Sequence, residues 1–149
     1  MRRLRCAFPV LLLAILTPFA LGAQQQVAAG TVGGPDRGFL LSQNRPNPVT
    51  TETRIPFQLL DEAFVEGRPA TVTFRIYNIL TQYVGSPTTV NHPAGDGVPI
   101  IELQYTSPGT YEASWDGRDR NGSYVASGVY VLELTVNGRS ALIRMIVQR

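Results

Sequence analysis

Asn137-Gly138 separates two alternating runs, Val129–Val136 and Arg139–Val147, and it constrains this chain more than any other feature. A two-residue type I′ hairpin turn needs φ > 0 at both central positions, which Asn and Gly adopt at the least cost. Closing the turn sets Val136 opposite Arg139. Counting back, Leu134 faces Ala141, Leu132 faces Ile143 and Tyr130 faces Met145. These apolar residues share a face, so turn chemistry and hydrophobic pattern select one register. The other face carries Glu133 and Arg144, but also Val129, Val131, Leu142 and Ile146. That is too apolar for a fully solvated sheet surface. These four residues form a candidate contact face for a loop, the preceding chain or a partner, with burial inside the monomer as the simplest expectation.

The hairpin is entered through a turn-rich corner, WDGRDRNGSYVASGVY, running from Trp115 to Tyr130. Asp116, Gly117, Asp119, Asn121 and Gly122 all favour turns, because Asx side chains hydrogen-bond their own backbone and Gly accepts φ > 0. Gly128 opens the next strand, and Tyr130 begins its apolar row. A lone Trp at a strand end followed by such a turn reads as the corner of a small β-sandwich. Asp116, Asp119 and Asn121 also raise the question of calcium. Their D-x-x-D-x-N-G spacing differs from a calcium-binding D-x-[DN]-x-[DN]-G loop, and Arg118 and Arg120 lie between them. The expectation is therefore a structural turn with no metal.

Upstream, Thr53–Leu59 alternates with Ile55, Phe57 and Leu59 on one face, and Pro56 suggests an edge or bulge. Ala70–Tyr77 alternates more cleanly, with Val72, Phe74 and Ile76 inward. Short strands are expected at Gln82–Val84, Ile100–Gln104 and Thr110–Trp115, and Leu60–Glu66 could make one helical turn. Asn44, Pro46, Asn47 and Pro48 force a rigid, extended path. The pattern predicts an all-β, immunoglobulin-like antiparallel sandwich of about seven strands.

Residues 1–23 read as a signal peptide, with Arg2, Arg3 and Arg5 ahead of an apolar core at Phe8–Leu21 and small residues at Ala20, Gly22 and Ala23. The apolar run is short and interrupted by Pro9 and Pro18, so no membrane span is expected in the mature chain. Residues 24–37 are expected to be a flexible leader and residues 38–149 the sandwich. The expected location is secreted or at the cell surface, or periplasmic if export stops there. Cys6, the only cysteine, lies within the signal segment, so the mature chain is expected to have no disulfide or thiolate site. Once Arg2, Arg3 and Arg5 are removed, ten arginines face 11 acidic residues, and no basic surface for nucleic acid remains.

Chemistry is sparse. His92, the sole histidine, sits in the polar stretch Ser86–Pro99, and no G-x-S-x-G or phosphate-binding glycine loop follows a strand. Glu102, Glu112 and Glu133 fall at expected solvent-facing positions. No catalytic residue and no cofactor is expected.

Leu41–Phe57 (LSQNRPNPVTTETRIPF), Val72–Val84 and Pro108–Leu134, completed by Arg139–Arg149, together resemble one family. It comprises the flagellar hook-capping-type (FlgD-like) immunoglobulin-like domain and its relative, the type A C-terminal sorting domain of type IX secretion cargo. The pattern departs at Arg45 and Thr81 and in the longer connection Gly85–Gly109. The resemblance implies a non-enzymatic module that docks onto a protein partner in export or surface attachment. Two alternatives remain open. One is a stand-alone adhesion or assembly subunit. The other is a carbohydrate-binding module using Trp115, Tyr105, Tyr83 or the 86–99 stretch.

Overall fold

A computed structural model describes residues 30–149; the expected signal peptide and the first part of the expected leader lie outside the described residues. Among the described residues, ten strands form two antiparallel sheets that pack as a sandwich: β1 (Val32–Gly34), β2 (Phe39–Leu41), β3 (Thr53–Leu59), β4 (Ala70–Asn78), β5 (Tyr83–Gly85), β6 (Thr88–Val90), β7 (Leu103–Tyr105), β8 (Gly109–Trp115), β9 (Gly128–Val136) and β10 (Arg139–Val147). One sheet has the order β1-β2-β3-β8-β6. The other runs β10-β9-β4-β5, and β7 pairs with the first residues of β4.

The β9–β10 pairing has the register dictated by its turn, with Arg139 opposite Val136, Ile143 opposite Leu132 and Met145 opposite Tyr130. Asn137 and Gly138 have φ of 48° and 81°. The inward rows of β3, β4, β9 and β10 fill the interior, where Phe57, Phe74, Ile76, Leu132, Leu134 and Met145 are fully buried. Phe57 and Phe74 meet edge to face across the two sheets at 5.2 Å. Each buried large apolar side chain contributes roughly 1.5–3 kcal/mol, so the contact gains energy from the area it hides and from its geometry.

Four elements differ from the sequence reading. Val32–Gly34 lies in the expected flexible leader, yet it pairs with Phe39–Leu41 as an edge strand; glycines at two of its three positions hide the strand signal. Thr88–Val90, inside the expected polar loop, pairs with β8 and buries Thr89. The expected strand Ile100–Gln104 starts only at Leu103, because Glu102 adopts φ 51°. Pro56 lies in an interior strand, but where β2 runs out. The Ser42 N–H still donates to the Pro56 carbonyl at 3.0 Å, and the return bond Pro56 cannot make falls beyond the end of β2. Two single 3-10 turns, Asp61–Ala63 and Val65–Gly67, occupy the candidate helical stretch.

Tyr105 closes one end of the core, edge-on to Phe57 at 5.7 Å and to Tyr111 at 4.7 Å. Burial, reinforced by the neighbouring Tyr111, pushes its phenol up to about 12. The unfolded chain releases this proton near the ordinary value of 10.0, so it binds fewer protons than the folded chain above that pH. The contribution is full below pH 10 and is lost as pH rises towards 12. Burial raises Tyr77 and Tyr130 in the same direction. Chemical denaturation should therefore show stability falling through this alkaline window, with a shallower fall in Tyr105→Phe. Equal slopes for the two proteins would contradict the assignment.

Candidate functional site: the corner and the outer sheet face

The corner is built from the inside outwards. The Trp115 indole is 3% exposed, lies 5.9 Å from the Tyr130 ring and donates its N–H to the Arg118 carbonyl at 2.9 Å. Tyr130 donates its hydroxyl to the Ala126 carbonyl at 2.9 Å, fastening the far side of the turn to β9. Asp119 Oδ1 accepts from the backbone N–H of Asn121 (2.8 Å) and Ser123 (3.0 Å), and Asp116 Oδ1 from that of Arg118 (3.1 Å). These Asx contacts hold the chain while Gly117 and Gly122 take φ of 70° and 81°. The carboxylates thus serve backbone amides, and the Arg118 guanidinium lies 3.5 Å from Asp116. Among the described residues, no group of three or more His, Cys, Asp and Glu side chains is placed to hold a metal ion.

Arg149, which sequence reading did not single out, ties the corner shut. Its guanidinium donates to the carbonyls of Gly117 (2.9 Å) and Val125 (3.2 Å) within the corner and of Thr50 (3.2 Å), far from it in sequence. It also stacks on the Tyr124 ring at 4.0 Å, where the Arg118 guanidinium stacks at 3.8 Å. A Cβ at position 117 would run into Arg149 Nη2, so beyond the strain at its φ a side chain there would displace the guanidinium from the clasp. No local spacing announces such a contact.

A second clip uses the Asn/Pro cluster. Gln43 Nε2 donates to the Arg144 carbonyl (2.8 Å), Asn47 Oδ1 accepts from the Ile146 N–H (2.9 Å), and the Val49 N–H donates to the Ile146 carbonyl (2.7 Å). Asn44, buried, bonds Thr53 Oγ1 and the Pro46 carbonyl. The outward backbone groups of the edge strand β10 are therefore partly occupied, which blunts it as a template for another strand.

The outer face of the β9–β10 hairpin lies open. Val129, Leu142 and Ile146 are 39%, 56% and 47% exposed, and Val131 is half-buried. The described residues do not bury this row as the simplest expectation would have it: the side chains point away from the sandwich, with Gly30, Val32 and Gln43 approaching beside Val131 and Leu142. Glu133 is bonded by the Tyr77 hydroxyl at 3.1 Å. The stripe sits on the longest strand pairing of the fold, which makes it a rigid face.

With this geometry in view, comparison with known proteins gives three findings. Residues 73–140 match the family model of the FlgD Ig-like domain. No curated protein matches. Among solved structures, the chain is similar to dimeric latent PorU from Porphyromonas gingivalis, with 20% identity and a TM-score of 0.46 over 70% of this chain and 9% of that one. It is also similar to PorZ from the same organism, described as an essential bacterial surface component of the type-IX secretion system. There the identity is 17% and the TM-score 0.42, over 80% of this chain and 16% of that one. The chain thus spans a small part of either protein.

The FlgD Ig-like match bears out the resemblance read from the sequence. It takes in the corner, all of β9 and the Asn137-Gly138 turn, whereas the Asn/Pro clip lies outside the matched span. Other sequence candidates scatter. His92 packs edge-on to Tyr105 at 4.6 Å, and its Nδ1 accepts from the Ala94 N–H. Glu112 lies 3.5 Å from Arg54 on the outer face of the other sheet, Glu102 is exposed in a bend, and Glu133 is held by Tyr77. These carboxylates do not converge. Trp115 and Tyr105 are buried and offer no stacking surface, while Tyr83 remains exposed.

The guanidinium clasp yields a stability cycle. Arg149→Ala should cost about 1–2 kcal/mol, as expected for charge-assisted bonds at a partly wet site. Gly117→Ala should cost more in the parent than in the Arg149→Ala background, where the added methyl meets no guanidinium. Strictly additive costs in urea denaturation would show that the clasp does not form.

Proposed function

We propose that this chain is an exported, non-enzymatic Ig-like docking module, related to the sorting domains of type IX secretion cargo, which engages a protein component of export or surface attachment through the outer face of β9 and β10. The observation that carries this reading is the open row Val129, Leu142 and Ile146 on a hairpin whose register and edges are fixed. Exposed apolar rows on rigid sheets lose little entropy when a partner covers them. The sequence resemblance to sorting domains supports export as the setting.

Fusing residues 30–149 behind an exported reporter in a type IX-competent host tests it. The reporter should reach the cell surface, and the pair Leu142→Asp and Ile146→Asp should hold it in the periplasm while leaving the fold's thermal midpoint little changed, since both side chains are exposed. A reporter retained in the periplasm with the native face, or surface delivery unaffected by the two aspartates, would contradict the reading.

A further inference from the structure

A polar groove of about 360 Å³ runs between the β4–β5 hairpin and the corner, with Tyr130 at its floor. It lies at the opposite edge of its sheet from Leu142 and Ile146, and so does not rest on the docking role above. The backbone bond from the Arg120 N–H to the Val84 carbonyl (2.8 Å) joins the two walls. On one wall Tyr83 is 37% exposed, with its ring edge-on to Tyr77 at 6.3 Å. On the other are Asp119, Arg120 and Asn121.

The hydrogen-bonding inventory identifies the kind of ligand. Gln82 spends its Oε1 on Asn78 Nδ2, which leaves its amide N–H₂ as a donor. Asp119 commits Oδ1 to the turn and keeps Oδ2 as an acceptor. Among the described residues, the Asn121 amide, the Arg120 guanidinium and the Tyr83 hydroxyl have no side-chain hydrogen-bond partner. The groove therefore offers donors and acceptors side by side. An anion would meet Asp119, and a cation would meet Arg120. A ligand whose groups each donate and accept, and which has an apolar flank for an aromatic ring, suits this set. The volume is within the range of small-ligand sites, roughly 300–1,000 Å³. Tyr124 is not the platform, because the Arg118 and Arg149 guanidinium groups already stack on its ring.

We propose that this groove is a binding site for a neutral carbohydrate, with Tyr83 as the stacking ring and Gln82, Asp119, Arg120 and Asn121 pairing with sugar hydroxyls. Native electrophoresis of the full chain through gels cast with mannan, dextran, xylan or galactan tests it, against a plain gel. The expected result is retardation in at least one polysaccharide gel, unaffected by added salt and lost in Tyr83→Ala, whose mobility in the plain gel and thermal midpoint stay at parental values. Should Tyr83→Ala prove unfolded, Asn121→Ala takes its place with the same expected loss. Migration equal to the plain gel in all four, retardation abolished by salt, or retardation surviving substitution in a folded variant would overturn the assignment.

Discussion

Phe57 against Phe74 is the contact through which two sheets become one fold. The described residues contain no cysteine, so no disulfide fastens β3 to β4; the layers hold because their inward apolar rows pack against each other. The rest follows from keeping that interior closed. Trp115 and Tyr130 stop one end and Tyr105 the other, and the polar tips of these three aromatics meet that boundary.

Closure of the perimeter falls to polar residues. Gln43, Asn44 and Asn47 turn the β2–β3 connection into a clip on the edge of β10, and Arg149 ties the corner to the Thr50 segment. Both devices join elements far apart in sequence, so they stiffen the sandwich where its two sheets would otherwise part. Their side effect falls on β9 and β10, which are held in register while the outer face stays largely exposed among the described residues. A sheet surface fixed in this way would lose little entropy on docking, as the proposed role requires.

Much of this was legible in the residues. Asn137-Gly138 specified a hairpin and its register, because a one-residue slip would have turned every inward side chain outward. The clean alternation of β3, β4 and β8 located the core rows. The misses have physical causes. Val32–Gly34 is stabilised by pairing with β2, and its glycines carry no pattern to read. Thr88–Val90 is a strand because β8 offers it an edge. The bareness of Val129, Leu142 and Ile146 could not be settled by composition, since whether a face is covered depends on what else the chain brings to it. Arg149 was missed for a similar reason: its three acceptors are main-chain carbonyls, which any residue type supplies. The candidate groove at Tyr83 likewise joins residues 78–84 to 119–126, a proximity created only when the corner folds back against β5.

The central claim is that the interior is sealed, with the indole inside it and the proposed contact surfaces outside. Because Trp115 is the sole tryptophan, its fluorescence reports on that seal alone. Collisional quenching by acrylamide should be weak in the folded protein, with emission shifted to the blue, and should rise to that of a free indole on denaturation. Strong quenching with water-like emission in the native state would mean that the corner stands open, and the sandwich described here would be wrong at the point on which it depends.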